Sequence, residues 1–304
     1  MPTVAIAIPN LNGELYLYET LKSLQMQIIK PDEIVLSDNH SIDRSLEIIR
    51  MFPNLDIRVI QPVKFLKMSE NWNFVASHIE SDWFFLLSND DLLKNTAVKE
   101  LKEKLDKIPS TIGAISFKSE IIDENSRLIL GKYHFGKDKL REEHEFLKQN
   151  IKFLHINAAS VAIKRDSWKD IGGFPTEYSV LHDLVFYQRM IMRWGILESK
   201  KVLGRYRVYT QRADSEARNL QYLKDFQTYE KLDLKVICEK YPDLLGRYTS
   251  SDLDNSSKFP NNVFSMKVLR IIVLSTMTLF KKFQTFLRLS GFPEKTKTGK
   301  FYNS

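Results

Sequence analysis

The sequence predicts an α/β fold in which helices flank a mostly parallel sheet. Three observations predict it: short apolar segments rich in β-branched and aromatic residues, amphipathic segments of helical period between them, and Gly, Asn and Ser at the junctions. Strands and helices that alternate at this rhythm form βαβ units. A chain of 304 residues, 43% of them hydrophobic, suits one large domain with an appendage or two modest domains.

The first hundred residues supply the strands and helices in alternation. The predicted strands are Thr3–Ile8, Glu33–Ser37, Ile57–Ile60 and Trp83–Ser88. The predicted helices between them are Glu14–Gln27, Asp43–Phe52 and Ser69–Ile79. Parallel sheets bind their ligands at the carboxyl ends of the strands. We therefore expect functional residues within Pro9–Asn12, Asp38–Asp43 and Ser88–Asp91.

The second half of the chain alternates less regularly. Its predicted strands are Thr111–Ile122 and Ala158–Lys164, and its predicted helices are Leu181–Trp194 and Asn219–Lys240. The stretch from Tyr248 to Asn262 is polar and contains Pro260. Such a composition is typical of a connection between units, so a domain boundary is predicted there.

Charge, cysteine content and motifs exclude several classes of protein. The net charge of +7 comes from 45 Lys and Arg against 38 Asp and Glu, but no nucleic-acid-binding motif accompanies it, so we expect no nucleic-acid partner. The single cysteine, Cys238, excludes an internal disulfide and a cysteine-based zinc site. No dinucleotide-binding glycine motif and no P-loop occurs. Without a signal peptide or an apolar run of about 18 residues, no membrane-spanning segment is expected.

Adjacent carboxylates follow the fourth predicted strand. Asn89, Asp90 and Asp91 come directly after a very apolar run. Carboxylate oxygens suit Mg²⁺ or Mn²⁺ that also binds substrate phosphates, so Asp90 and Asp91 are candidate metal ligands. Helix capping is the alternative role for either of them. Asp38 ends the second predicted strand, where it either stabilises a turn or accepts a hydrogen bond from a base or ribose.

Taken together, three of these segments resemble the inverting glycosyltransferases of family two, which have the GT-A fold. The matching segments are Ile8-Pro9-Asn10-Leu11-Asn12-Gly13, Ser37-Asp38-Asn39-His40-Ser41-Ile42-Asp43 and Ser88-Asn89-Asp90-Asp91. The resemblance covers the first hundred residues at matching spacing and extends more loosely to about residue 210. It implies a GT-A domain over residues 1–215, with a donor-binding half at 1–110 and an acceptor half at 111–215. A helical extension, 216–257, and a tail, 258–304, would follow.

The resemblance also implies roles for individual residues. The nucleotide-sugar would contact Pro9, Asn10, Asn12, Asp38, Asn71, Asn89 and Asp90. A surface or capping amide is the alternative role for Asn71. Asp183, which follows a Gly-Gly-Phe turn, takes the position of the family's general base, although a helix cap is its alternative role. His182 replaces the Glu of the family pattern. Arg207 could lie near the donor diphosphate, but a solvated arginine is the simpler expectation.

The implied activity is an inverting transfer of a sugar from a nucleotide-diphospho-sugar, UDP- or dTDP-linked, with Mg²⁺ or Mn²⁺ as cofactor. The acceptor would be a hydroxyl of a glycan or of a lipid-linked acceptor in bacterial surface polysaccharide synthesis. Ser37 and Ser88 each replace an Asp of the family pattern. The alternative function is therefore a catalytically degenerate nucleotide-sugar-binding or scaffold protein.

Residues 267–289 have the pattern of an amphipathic helix with one basic face. The basic residues on that face are Lys267, Arg270, Lys281, Lys282 and Arg288. Such a helix either docks on a protein core or lies on an anionic membrane. Because it follows a polar boundary, the sequence favours the membrane. We therefore expect a cytoplasmic protein, peripheral at the inner face of the cell membrane.

Overall fold

The computed structural model describes residues 1–130, 137–151, 156, 158–209 and 216–244. The chain divides into two compact units, Met1–Leu245 and Gly246–Ser304. The second unit, with the predicted basic tail at 258–304 and the polar boundary before it, lies outside the described residues. The predicted division at residues 215 and 257 stays a prediction.

The first hundred residues form the expected alternation of strands and helices. The elements are β1 (Val4–Asn10), α1 (Leu17–Gln25), β2 (Glu33–Asp38), α2 (Ser45–Arg50), β3 (Ile57–Ile60), α3 (Met68–Ser77), β4 (Trp83–Leu86), β5 (Leu92–Leu93) and α4 (Ala97–Leu105). Helices α1 and α2 begin two or three residues later than predicted, because the residues after β1 and β2 form loops instead. Those loops carry the motif residues.

The first strands build a parallel half-sheet in the order β3-β2-β1-β4. In the register of β1 and β2, Asn10 lies opposite Asp38, and Pro9 lies opposite Ser37. β4 runs parallel to β1 on its other side and ends at Leu86. The loops that follow β1, β2 and β4 therefore leave the sheet at the same end, as the strand order requires.

The second half of the described chain completes a mixed sheet. Its strands and helices are β6 (Ile112–Ile122), β7 (Leu128–Leu130), β8 (Lys139–Leu140), α5 (Glu143–Gln149), β9 (Val161–Lys164), α6 (Arg165–Asp170), α7 (His182–Arg193), β10 (Gly195–Arg207), α8 (Glu216–Tyr229) and α9 (Lys235–Lys240). β9 pairs antiparallel with both β4 and β6, and β10 pairs parallel with β6. A π-helical turn joins α8 to α9, where the sequence predicts one continuous helix.

One hydrophobic core supports the end of the sheet where the motif loops emerge. Val4, Ile6 and Ile8 alternate along β1 and pack in one cluster with apolar residues of α1, α2, α4 and the neighbouring strands. Continuous burial along β1 and β2 matches the unbroken apolar runs expected of parallel strands covered on both faces. Over the described part of the chain, no helix is both long enough and apolar enough to cross a membrane.

Candidate functional site

Asn10 ties together three of the segments that the sequence singles out. Its side chain is fully buried at the end of β1. Asn10 Nδ2 donates to Asp38 Oδ1 at 3.0 Å and to Ser41 Oγ at 3.1 Å, while Asn10 Oδ1 accepts from Asn89 Nδ2 at 2.8 Å. Buried polar groups are stable only when bonded in this way. The cluster of Asn10, Asp38, Ser41 and Asn89, named the Asn10 cluster below, therefore has a defined geometry.

Gly13 is needed because the Asn10 cluster leaves no room for a side chain. A Cβ atom on Gly13 would lie 2.6 Å from Asn89 Nδ2 and closer still to Asn10 Oδ1. Asn12 adopts a left-handed backbone conformation, with φ at 48°, as asparagine tolerates better than most residues. Its Oδ1 accepts the Ile42 N–H at 3.0 Å, so this side chain clamps the β1 loop to the β2 loop.

Ser37, which stands where the family pattern has Asp, faces helix α3. Its Oγ donates to Asn71 Oδ1 at 2.6 Å, and both side chains are buried. This hydrogen bond joins Asn71, a predicted nucleotide-sugar contact, to β2 at the residue before Asp38 of the Asn10 cluster. Pro9 is buried in β1 beside Ser37.

Helix α3 connects the donor end of the sheet to the predicted base. While Asn71 faces Ser37, the ring of Trp72 packs edge-on against His182, with centroids 4.7 Å apart. Asn73 exchanges two hydrogen bonds with the backbone of Phe174, at 2.7 and 2.8 Å. Successive helical residues point about 100° apart, so three neighbours can serve three partners.

The Gly-Gly-Phe turn needs both of its glycines. Gly172 and Gly173 have φ values of 81° and 76°, in the left-handed region that favours glycine. A Cβ on Gly173 would also lie 2.6 Å from Asn73 Oδ1, whereas one on Gly172 would meet nothing. The turn is thus shaped by close contact with α3.

Asp183 lies in the first turn of α7, as predicted, and is half-buried. Its Oδ1 accepts the N–H of the next residue, Leu184, at 2.7 Å. Burial raises the pKa of Asp183, although the neighbouring His182 opposes this shift. Burial lowers the pKa of His182, whose Nδ1 has no hydrogen-bond partner among the described residues. A carboxylate with a raised pKa at a helix start has the electrostatics of a general base.

Asp225 is a residue that the sequence analysis missed. One oxygen of this buried α8 side chain accepts the N–H groups of Ser179, Val180 and Leu181, at 2.6 to 3.0 Å. It therefore fixes the loop that leads into α7 and orients Asp183. No local signal marks it, because its partners lie more than 40 positions earlier in the chain.

The carboxylates Asp90 and Asp91 accept hydrogen bonds from different residues at the end of β10 and just after it. A tight turn, in which Asp91 N–H donates to Ser88 O at 3.2 Å, follows β4. Asp91 is buried, and its Oδ1 accepts the Arg207 N–H at 2.8 Å. Asp90 is half-buried, and its Oδ2 accepts the Tyr209 hydroxyl at 2.6 Å. Asp91 thus has a structural role in joining the turn to β10.

Arg207 is buried, contrary to the expectation of a solvated side chain. Its guanidinium donates to Asp90 O at 2.8 Å, to Asp123 O at 3.1 Å and to Ser126 Oγ at 2.9 Å. It also pairs with Glu19 at 2.8 Å and stacks over the Tyr16 ring at 4.2 Å. The guanidinium is therefore fully enclosed by protein, and its hydrogen bond to the Asp90 carbonyl oxygen stabilises the turn after β4.

The carboxylates in the turn after β4 could hold a divalent cation only together with oxygen ligands from a substrate. Within the described ranges, no three His, Cys, Asp or Glu residues lie close enough to hold a metal ion. Mg²⁺ is often bound by one or two carboxylates plus substrate phosphates, and Asp90 can supply one. Asp91 is buried and its Oδ1 accepts the Arg207 N–H, so Asp90 is the more accessible of the two predicted ligands.

Comparisons with known proteins cover the segments that form the Asn10 cluster. A family profile described as Glycosyl transferase family 2 matches residues 5–172, more than half of the chain. A Rickettsia typhi protein named as an uncharacterized glycosyltransferase is 24% identical over 238 residues, which are 76% of this chain and 70% of that protein.

Solved structures with the same fold come from S. aureus. TarS in complex with UDP-GlcNAc has a TM-score of 0.57 and 18% identity, over 70% of this chain but only 60% of that one. TarS in complex with UDP has a TM-score of 0.54 and 17% identity, over 76% of this chain and 72% of that one. These likenesses confirm the predicted GT-A fold. With the profile match, they establish that the chain belongs to glycosyltransferase family 2.

Proposed function

We propose that this protein transfers a sugar, with inversion, from a UDP- or dTDP-linked donor to a hydroxyl of a glycan or lipid-linked acceptor in surface polysaccharide synthesis. The Asn10 cluster is the observation that carries the proposal. Hydrogen bonds of 2.8 to 3.1 Å hold Asp38 and Asn89 around one buried amide at the carboxyl end of the sheet. That end is where open α/β sheets bind their ligands.

In the proposed donor site, Asp38 accepts a hydrogen bond from the base or ribose. Pro9, Asn10, Asn12, Asn71 and Asn89 shape the surface around it. Asp38 is buried, and its oxygens accept hydrogen bonds from Asn10 Nδ2 and from the Ser41 N–H. Its contact with the donor would therefore use the remaining acceptor capacity of this carboxylate. The TarS structure with UDP-GlcNAc makes this nucleotide-sugar the first donor to test.

In the proposed transfer, the acceptor oxygen attacks the anomeric carbon while the bond to the nucleoside diphosphate breaks on the opposite face. Asp183 takes the proton from the acceptor hydroxyl, which is worth about 10²–10⁴ in rate. The raised pKa of Asp183, caused by burial, makes it a stronger base than an exposed carboxylate. Asp225 positions it through the loop before α7.

A divalent cation at Asp90 would neutralise charge on the leaving diphosphate. Donor affinity measured in Mn²⁺ and in EDTA tests this cofactor. We expect Asp90→Ala to lower the affinity in Mn²⁺ to the value measured in EDTA, while Asp106→Ala, at an exposed carboxylate, changes nothing. Equal affinity of the unchanged protein in both solutions would show a metal-independent site.

The catalytic proposal is tested by Asp183→Asn, which keeps the size of the side chain and its hydrogen bond to Leu184. We expect transfer to an acceptor to fall by about 10²–10⁴ while donor affinity is retained. Asp166→Asn, at an exposed acid in the first turn of α6, is the matched control. A wild-type protein that binds the donor but never transfers it would instead support the degenerate binding protein, which the substitutions at Ser37 and Ser88 favour.

A further inference from the structure

The loop between β3 and α3 exposes apolar and basic side chains side by side. Residues 61–68, which are this loop and the first residue of α3, are named the 61–68 loop here. Val63 is fully exposed, and Phe65 and Met68 are about 60% exposed. Lys64 and Lys67 are exposed between them, and the described part of the chain offers neither an ion-pair partner. Apolar side chains in such a run are costly in water unless something covers them.

The backbone of the 61–68 loop is held in place, so these side chains are presented outward by a defined structure. Leu66 exchanges two hydrogen bonds with the Asn39 side chain, at 2.8 and 2.9 Å. Pro62 is buried at the start of the loop, and the Lys67 N–H donates to Glu70 at 2.8 Å where α3 begins. Little conformational entropy would be lost when the exposed side chains meet a partner.

A further exposed apolar residue belongs to the neighbouring loop. Ile42 is 93% exposed in the segment after β2, which also contains Asn39. β2 and β3 run parallel, so both loops leave the sheet at the end that carries the Asn10 cluster. The acids near Ile42 are engaged: Asp43 accepts from Glu14 N–H and Ser45, and Glu47 pairs with Arg44.

We propose that the 61–68 loop, with Ile42 beside it, docks on an anionic membrane surface. Apolar tips between lysines match a lipid interface, where the tips enter the acyl boundary and the ammonium groups meet lipid phosphates. Residues 246–304 carry ten Lys and Arg against three Asp and Glu, so charge opposes this segment as the cover of the loop. Two copies of the loop, each with exposed Lys64 and Lys67, would also repel each other.

The 61–68 loop lies at the same end of the sheet as the proposed donor site. A membrane at this surface would face the end of the sheet that holds the donor site, so that a lipid-linked acceptor could approach it. That consequence rests on the proposed function, whereas membrane binding by the loop does not.

The test is binding of the full chain to vesicles of neutral lipid and of the same lipid with 30% phosphatidylglycerol, at ~50 mM salt. Lys64→Ser with Lys67→Ser should weaken binding to the anionic vesicles by about 25-fold, about fivefold for each lysine. Val63→Ser with Phe65→Ser should also weaken binding to the anionic vesicles, and by more than its control pair of substitutions does. The controls make the same changes on an exposed face elsewhere: Lys231→Ser with Lys235→Ser, and Leu232→Ser with Val236→Ser.

Two results would overturn membrane docking by the loop, and a third would separate it from the proposed function. Loop variants that bind anionic vesicles as well as their controls would overturn it. So would loop variants that lose self-association, measured by sedimentation velocity, while they keep vesicle binding, because a second copy would then cover the loop. A protein that binds vesicles through the loop but binds none of a panel of UDP- and dTDP-linked sugars would keep this inference and overturn the proposed function.

Discussion

At the scale of single residues, packing around Asn10 explains why the motif after β1 ends in glycine. The amide groups of Asn10 and Asn89 approach the Gly13 backbone so closely that no Cβ fits between them. The motif itself could be recognised from the sequence, because its residue types and their order are visible there. The hydrogen bonds that make each residue necessary could not, because they join segments up to 79 positions apart.

Gly13→Ala should disrupt the Asn10 cluster and weaken donor binding by about tenfold or more, because the new methyl group would force Asn10 and Asn89 apart. Isothermal titration with UDP-GlcNAc measures this. Gly172→Ala is the control for the added methyl group, since its Cβ meets nothing and only the left-handed backbone is strained, which costs about 1–2 kcal/mol of the free energy of unfolding. Equal donor affinity in both variants would show that the cluster does not shape the donor site.

The buried carboxylate of Asp183 predicts how the transfer rate depends on pH. A general base acts only when ionised, and burial raises the pKa of Asp183, so the ionised fraction falls at a higher pH than for an exposed acid. With saturating donor, the rate should rise about tenfold per pH unit below that pKa and level off above it. A rate that stays flat down to about pH 4, the pKa of an exposed Asp, would contradict the assignment.

At the scale of elements, the buried strands were predictable and the half-exposed one was not. β1, β2 and β4 are continuous apolar runs, which the sequence marks clearly. The sequence analysis missed β10, a strand of thirteen residues, because more than half of them are at least partly exposed and register shifts interrupt its pairing with β6. These bulges remove the regular alternation on which a strand prediction depends. The burial of Arg207 was missed for the same reason.

Helix α3 is the element that joins the donor residues to the proposed base, and Asn73 is its attachment point. Asn73→Ala removes both hydrogen bonds to Phe174, which should cost about 1–3 kcal/mol of the free energy of unfolding. Because Asn71 keeps its bond to Ser37, donor affinity should change little while the transfer rate falls. Ser77→Ala, which removes one bond within the exposed side of the same helix, is the control. Parallel losses of donor affinity and rate would instead show that α3 acts as one rigid unit.

At the scale of the whole molecule, charge is distributed unevenly between the two compact units. The net charge of +7 resides in residues 246–304, and residues 1–245 carry equal numbers of basic and acidic side chains. The first unit contains the hydrophobic core and the whole Asn10 cluster. Folding and donor binding should therefore depend on the first unit, and long-range attraction to an anionic surface on the second.

Truncation after Ser257 tests this division, because it removes the predicted amphipathic helix and leaves Met1–Leu245 intact. The shortened protein should unfold cooperatively and bind UDP-GlcNAc with unchanged affinity. Its binding to anionic vesicles at low salt should fall by roughly tenfold or more, since nine basic residues are lost with one acid. The remaining binding should still depend on Lys64 and Lys67, which stay in place. If the shortened chain loses cooperative unfolding by calorimetry, residues 258–304 pack on the core, and the apolar face of their helix is covered by protein rather than by lipid.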